Sequence, residues 1–297
     1  MKLQALPAAP YRIAREVLRR APDPRVPEPT MLMEDPEAVE QFHASGPVNQ
    51  VPLYQLCSRS TSMLAPAGAT VLDLGSGSGR YLAHLARRRP DLKIVGLDLS
   101  EPMLATGRRM LAEEGLADRV RLEQGDITEF AASAPEDVAV VSCIQALHHL
   151  PTDDLIRRCL GQIAALRERT GCAVWIFDIG RAKHPMSYRG FISTTSPMPP
   201  VLEREAVQSE RAALTVDELT AELERSGLGD LNHTHMRVLR VFQAHWAPHR
   251  DLPAGHENWE DVPLPDGTGM NTRMFLTMFP RLPRPNGRAP AGSRSPA

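Results

Sequence analysis

Val71-Leu72-Asp73-Leu74-Gly75-Ser76-Gly77-Ser78-Gly79-Arg80 is the stretch that decides the fold. Val71 to Leu74 reads as a short buried strand, three apolar residues with an acid among them. Glycines follow at 75, 77 and 79, and Leu82, Leu85 and Ala86 then fall at helical spacing. Strand, glycine turn and helix in that order let backbone N–H groups at a helix start approach a ligand closely, because glycine has no Cβ in the way. The dinucleotide fingerprint asks for Gly or Ala five residues after its first glycine. Arg80 stands there, which counts against a pyrophosphate. Asp73 would repel a phosphate and attract an ammonium, so the turn reads as built for a cationic ligand.

Outward from this turn the chain alternates strands and helices. Strands are expected at 70–74, 93–97, 119–123, 137–143 and 172–178, and helices at 79–89, 101–114, 152–169 and 215–226. This is the pattern of a doubly wound, Rossmann-like, mostly parallel α/β sheet with helices on both faces. Ser100-Glu101-Pro102 reads as an N-cap with proline in the first turn, and Thr215-x-x-Glu218 as a capping box. Ligands bind such sheets beyond the carboxyl ends of the strands, and Gly75, Asp98, Asp126 and Ile144 all fall there.

Four segments resemble, in order, motifs of the class I S-adenosylmethionine-dependent methyltransferases. Asp73 to Gly79 is similar to that family's first motif. Gly96-Leu97-Asp98-Leu99-Ser100 resembles the end of the second strand, Gln124-Gly125-Asp126-Ile127 the loop that meets the adenine, and Ser142 to Leu150 the segment after the fourth strand. The resemblance covers about residues 60 to 180. It implies S-adenosyl-L-methionine as cofactor, held by Asp73, Gly75, Ser76, Gly77, Gly79, Asp98, Leu99, Asp126, Ile127, Ile144 and Gln145. Asp73 would serve the methionyl ammonium, Asp98 the ribose hydroxyls and Asp126 the adenine amine.

Methyl transfer from a sulfonium is an in-line displacement that mainly needs donor and acceptor held in near-attack geometry. A base helps where the acceptor must lose a proton. His148 and His149 are the catalytic candidates; packing against the next helix is their other reading. Asp178, Arg181, Tyr188 and Phe191 are the candidate substrate contacts. His233 and His235 alternate as on one strand face without a carboxylate cluster beside them, and no metal is expected.

The flanks read differently from the core. Residues 1–30 form a flexible basic segment, with Pro22 to Pro29 extended and linker-like. Residues 31–66 read as a helical cap over the cofactor site, and 67–250 as the methyltransferase core. Arg181 to Leu214, broken by Pro185, Pro197, Pro199 and Pro200, reads as an apolar lid over the crevice. Leu231 to Trp246 is strand-like, where the family expects an antiparallel hairpin, although no Asn-Gly or Asp-Gly turn marks its bend. In the extension 251–297, Asn271 to Phe279 suggests a short helix, and Arg281 to Ala297 has a disordered composition.

Of 297 residues, 42% are hydrophobic and 24% charged, ordinary for a globular chain. The formal net charge of −2 is uneven: residues 1–25 and 280–297 each carry +4, leaving −10 on the body. An acidic body with basic ends is not a nucleic-acid footprint, and a chain trimmed to 26–279 is expected to keep its fold and its activity. The four cysteines lack any C-x-x-C pair, which with the absent apolar leader suggests a reducing, cytoplasmic setting. The expected activity is methyl transfer to a small-molecule or peptide-derived metabolite. An RNA methyltransferase and a non-catalytic S-adenosylmethionine-binding regulatory partner remain as alternatives.

Overall fold

The computed structural model describes residues 21–30, 33–183, 200–237 and 240–250, together with positions 273, 275, 277–279 and 282. Two helices, α1 (Pro36–Asn49) and α2 (Val51–Leu64), lead into β1 (Thr70–Leu74). There follow α3 (Arg80–Arg88), β2 (Lys93–Asp98), α4 (Glu101–Glu113), β3 (Val120–Gln124), β4 (Val138–Ile144), a 3-10 turn (Leu147–His149), α5 (Asp153–Thr170) and β5 (Ala173–Ile179). The chain continues with α6 (Pro200–Ala212), α7 (Val216–Arg225), β6 (Asn232–His235) and β7 (Phe242–Ala247). The seven strands lie in the order β3-β2-β1-β4-β5-β7-β6. Those from β3 to β5 are parallel, and β7 pairs antiparallel with both β5 and β6.

Alternation along the strands explains why both faces are covered. Val71, Ile94, Val140, Trp175 and Phe177 pack on one face with α2, α3 and α4. Leu72, Val95, Val141, Val174 and Ile176 pack on the other with α5 and α7. All seven residues of β5 are buried. Near-continuous apolar strands are what a doubly covered parallel sheet requires. Local signals fix the helix starts: Ser100 accepts from the Met103 amide, and the Thr215–Glu218 capping box is formed in full. Among the described residues no helix is long and apolar enough to cross a membrane.

Two expectations need correction. Residues 200–212, part of the expected lid loop, form the helix α6, because Pro200 sits at a helix start, where its missing N–H costs nothing. The rest of that segment, 184–199, lies outside the described residues. Residues 21–30, expected as a flexible linker, are docked. The Val26 amide donates to the Arg211 carbonyl at 2.9 Å, and the Arg25 guanidinium reaches the carbonyls of Ala212 (2.6 Å) and Leu150. Trimming at residue 26 would therefore cut inside a docked segment. The expected antiparallel hairpin is present as β6 and β7, and Arg240 just before β7 takes a φ of 52°.

Candidate active site

Strand order reverses between β1 and β4, so the chain runs outward to β3 on one side and to β5 on the other. In such a sheet the ligand crevice lies at this switch point, beyond the carboxyl ends of the strands that flank it. Gly75, Gly77 and Gly79 have φ of 71°, 53° and 68°. At Gly75 the need for glycine is double, since a Cβ would lie 2.4 Å from the Ala146 Cβ, across the switch point. The turn is tied to β2 by the Gly75 and Ser76 amides, which donate to the Leu97 carbonyl at 2.8 and 3.0 Å.

Asp98, half-buried at the end of β2, organises the site in the free protein. Its Oδ2 accepts from the Gly77 amide at 2.7 Å and its Oδ1 from the Ser100 amide at 2.9 Å. The Gly125 amide donates to the Asp98 carbonyl at 2.9 Å, bringing the β3 loop beside it. In that loop Asp126 is exposed and accepts from the Thr128 amide, and Ile127 is half-buried. Leu99 follows Asp98, also half-buried, and Ile144 is buried at the end of β4. Gln145 next to it holds a φ of 51°, left-handed for a non-glycine, with its amide donating to the Phe177 carbonyl at 2.7 Å. Strain of this kind concentrates at functional sites.

Asp73 is placed differently from a surface anchor. It is fully enclosed beneath the turn and accepts from the Ser142 hydroxyl at 2.6 Å. Burial pushes its carboxyl up to about 8, with Ser142 opposing the shift and Asp98 adding to it. The Ser76 hydroxyl oxygen, in contrast, is buried at the turn with no hydrogen-bond partner among the described residues. A buried polar atom left unpaired is costly.

The other end of the crevice is a histidine cluster. The buried Asp178 accepts from the His148 Nδ1 at 2.6 Å and from the His148 amide at 3.2 Å. An Nδ1–H held by a carboxylate leaves the lone pair on Nε2. His149 stacks beside it, ring centroids 4.1 Å apart, with Nδ1 2.5 Å from Glu28 Oε2. Partial desolvation of the half-buried His149 ring works against its imidazolium, but Glu28 more than offsets this and holds it above the usual range. The Ser209 hydroxyl on α6 donates to Glu28 Oε1 at 2.6 Å.

Of the expected substrate contacts, Asp178 is taken up in orienting His148. Arg181 is buried and used within the fold, donating to the carbonyls of Asp23 (3.1 Å) and Ala213 (2.5 Å) and to Glu218 (2.6 Å). Tyr188 and Phe191 lie outside the described residues. Sequence reasoning missed Arg25, Glu28 and Ser209. Glu28 meets His149 across 121 positions of chain, and no local pattern reports such a contact.

Residues 71–171 match the family model described as a methyltransferase domain. Over this stretch, about a third of its length, the chain is similar to S-adenosylmethionine-dependent methyltransferases. The chain is 35% identical over 94 residues to the ubiquinone biosynthesis O-methyltransferase of Stutzerimonas stutzeri, covering 31% of this chain and 39% of that protein. The corresponding enzyme of Aeromonas salmonicida is 26% identical over 148 residues, 50% of this chain and 57% of that one. The chain thus spans less than two thirds of these curated relatives. Two solved structures share the methyltransferase fold. An O-methyltransferase family protein from Burkholderia thailandensis has a TM-score of 0.53 at 19% identity, covering 71% of this chain and 59% of that one. The plantazolicin methyltransferase BpumL, with a triazolic desmethylPZN analog and SAH, has a TM-score of 0.54 at 14% identity, covering 71% and 90%.

Proposed function

We propose that the protein transfers the methyl group of S-adenosyl-L-methionine to a small-molecule or peptide-derived acceptor by in-line displacement. One observation carries the reading: the glycine turn and the Asp178–His148 pair border the same switch-point crevice, a donor site at one end and proton-accepting chemistry at the other. The residues present fit the cofactor. Asp98 offers a carboxylate to the ribose hydroxyls, the unpaired Ser76 hydroxyl and the glycine backbone receive the methionyl part, and Asp126 and Ile127 line the adenine end. When bound, the cofactor supplies an electrophilic methyl on a sulfonium with a neutral leaving group. The protein then has to align the two reactants and exclude water.

The polar end formed by Asp178, His148, His149 and Glu28 is where an acceptor hydroxyl or amine loses its proton. An oriented imidazole there favours an enzyme over a regulatory partner, and the acidic body of the chain counts against an RNA acceptor. The 184–199 segment, with Tyr188 and Phe191, is assigned to the acceptor's apolar part. Calorimetric titration with S-adenosylhomocysteine tests the donor half of the reading, and no saturable binding would refute it. Incubation with S-adenosylmethionine carrying a labelled methyl and extracts fractionated by size tests the acceptor half. Label is expected in small molecules or peptides, and label confined to RNA would refute it.

A further inference from the structure

We propose that Glu28, His148 and His149 form a binding site for one divalent cation of the imidazole-preferring kind, such as Zn2+ or Fe2+. The three residues each bring one ligand atom, and these atoms all lie within 4.8 Å of one another. Around an ion with bonds of ~2.0–2.1 Å, tetrahedral ligands sit roughly 3.4 Å apart. The cluster is therefore near the required spacing, and the 43% exposed His149 ring has room to adjust.

The contacts behind the three side chains are those a metal site needs. A ligating imidazole usually donates its other N–H to a carboxylate, which fixes the ring and raises its basicity. Asp178 does this for His148 at 2.6 Å, and Nε2 of His148 makes no hydrogen bond among the described residues. Ser209 occupies Glu28 Oε1 at 2.6 Å and leaves Oε2 for a cation. In the free protein that oxygen faces His149 Nδ1 at 2.5 Å, so a proton fills the place the cation would take. Two imidazoles and one carboxylate select borderline cations over Mg2+ or Ca2+, which prefer all-oxygen shells. Three protein donors leave a coordination position open. Glu28 arrives from the docked segment 21–30, so the expectation of no metal, drawn from residues adjacent in sequence, did not include it.

The chemistry rests on the methyl-transfer reading; the site itself does not. With the His148 lone pair on the cation, the cation takes over from the imidazole in promoting deprotonation, and an acceptor hydroxyl on the open position loses its proton to solvent more readily. Its oxygen then forms the O–CH3 bond as the CH3–S bond breaks, the sulfur keeps the electron pair, and the products are the methyl ether and S-adenosylhomocysteine.

The test uses untagged, full-length, chelator-treated protein, titrated with Zn2+ alone by calorimetry and with Co2+ alone by visible absorption. One equivalent is expected to bind. Glu28→Gln and His149→Ala should each weaken it ~10-fold or more, as should Asp178→Asn through the ring it holds. The double substitution His233→Ala/His235→Ala should leave it unchanged. Glu28 lies outside the two core clusters, so Glu28→Gln keeps the fold, and circular dichroism checks this for every variant. No stoichiometric binding, or binding equally tight in Glu28→Gln and His149→Ala, overturns the proposal. Titration of the same samples with S-adenosylhomocysteine separates the two readings. Cofactor binding without a cation site sinks this proposal alone, and a cation site without cofactor binding sinks the methyl-transfer reading alone.

Discussion

Replacing Asp98 by alanine should remove cofactor affinity while leaving a folded protein. In the proposed complex the carboxylate accepts from both ribose hydroxyls, and a hydrogen bond to a charged group contributes about 1.5–3 kcal/mol. Losing two costs roughly 3–6 kcal/mol, which is on the order of 10²- to 10⁴-fold in affinity. The free protein also loses something, because Asp98 accepts from the Gly77 and Ser100 amides at 2.7 and 2.9 Å. Asp98 is only half-buried, so water replaces part of that loss and stability should fall by roughly 1–3 kcal/mol. The two effects are separated by taking urea midpoints first and then titrating with S-adenosylhomocysteine well below the unfolding transition. Asp98→Asn keeps one carbonyl acceptor and should fall between wild type and alanine. An Asp98→Ala protein that is folded and binds within threefold of wild type would refute the ribose assignment.

Gly75→Ala should lose about 2–5 kcal/mol, from a left-handed φ and from the 2.4 Å approach to Ala146. Gly68→Ala, left-handed but with nothing within 4 Å, should lose only ~1–2 kcal/mol; equal urea midpoints would mean that the Ala146 contact does not restrict the turn. His245 is held neutral by burial, with His233 and His235 adding to the effect, and is pushed down to about 3. The unfolded chain therefore binds this proton first, and stability that is full above the unfolded pKa near 6.5 is lost as pH falls towards 3. His245→Gln should show a smaller drop in urea midpoint between pH 7 and pH 4 than wild type, and an equal drop would count against the assignment. Arg25→Ala should expose the Val26 amide to hydrogen exchange without changing affinity for S-adenosylhomocysteine, since Arg25 holds the segment to the Leu150 and Ala212 carbonyls. Unchanged protection at Val26 would show that Arg25 does not hold it.

The sequence by itself determined the parallel half of the sheet and the placing of the glycine turn and Asp98 at its strand ends. Strand periods, cap residues and the glycine spacing are local, so Thr70–Leu74, the turn at 75–79 and the helix starts at 100 and 215 were legible within a residue or two. Asp98 was legible for the same reason, standing at a strand end at fixed distance from the turn. Proline content misled in both flanks. Pro200 was read as a breaker although a helix start tolerates it, and Pro22 to Pro29 were read as a linker although extended chain also docks well. Tertiary structure alone decided the other end. Asp178 holds His148 because the β4 and β5 termini are neighbours. Glu28 reaches His149 across 121 positions and Ser209 reaches Glu28 across 181, because α6 and the segment 21–30 fold onto the same turn. Contacts of that range leave no period or spacing in a single sequence, since nothing local requires an acid at position 28.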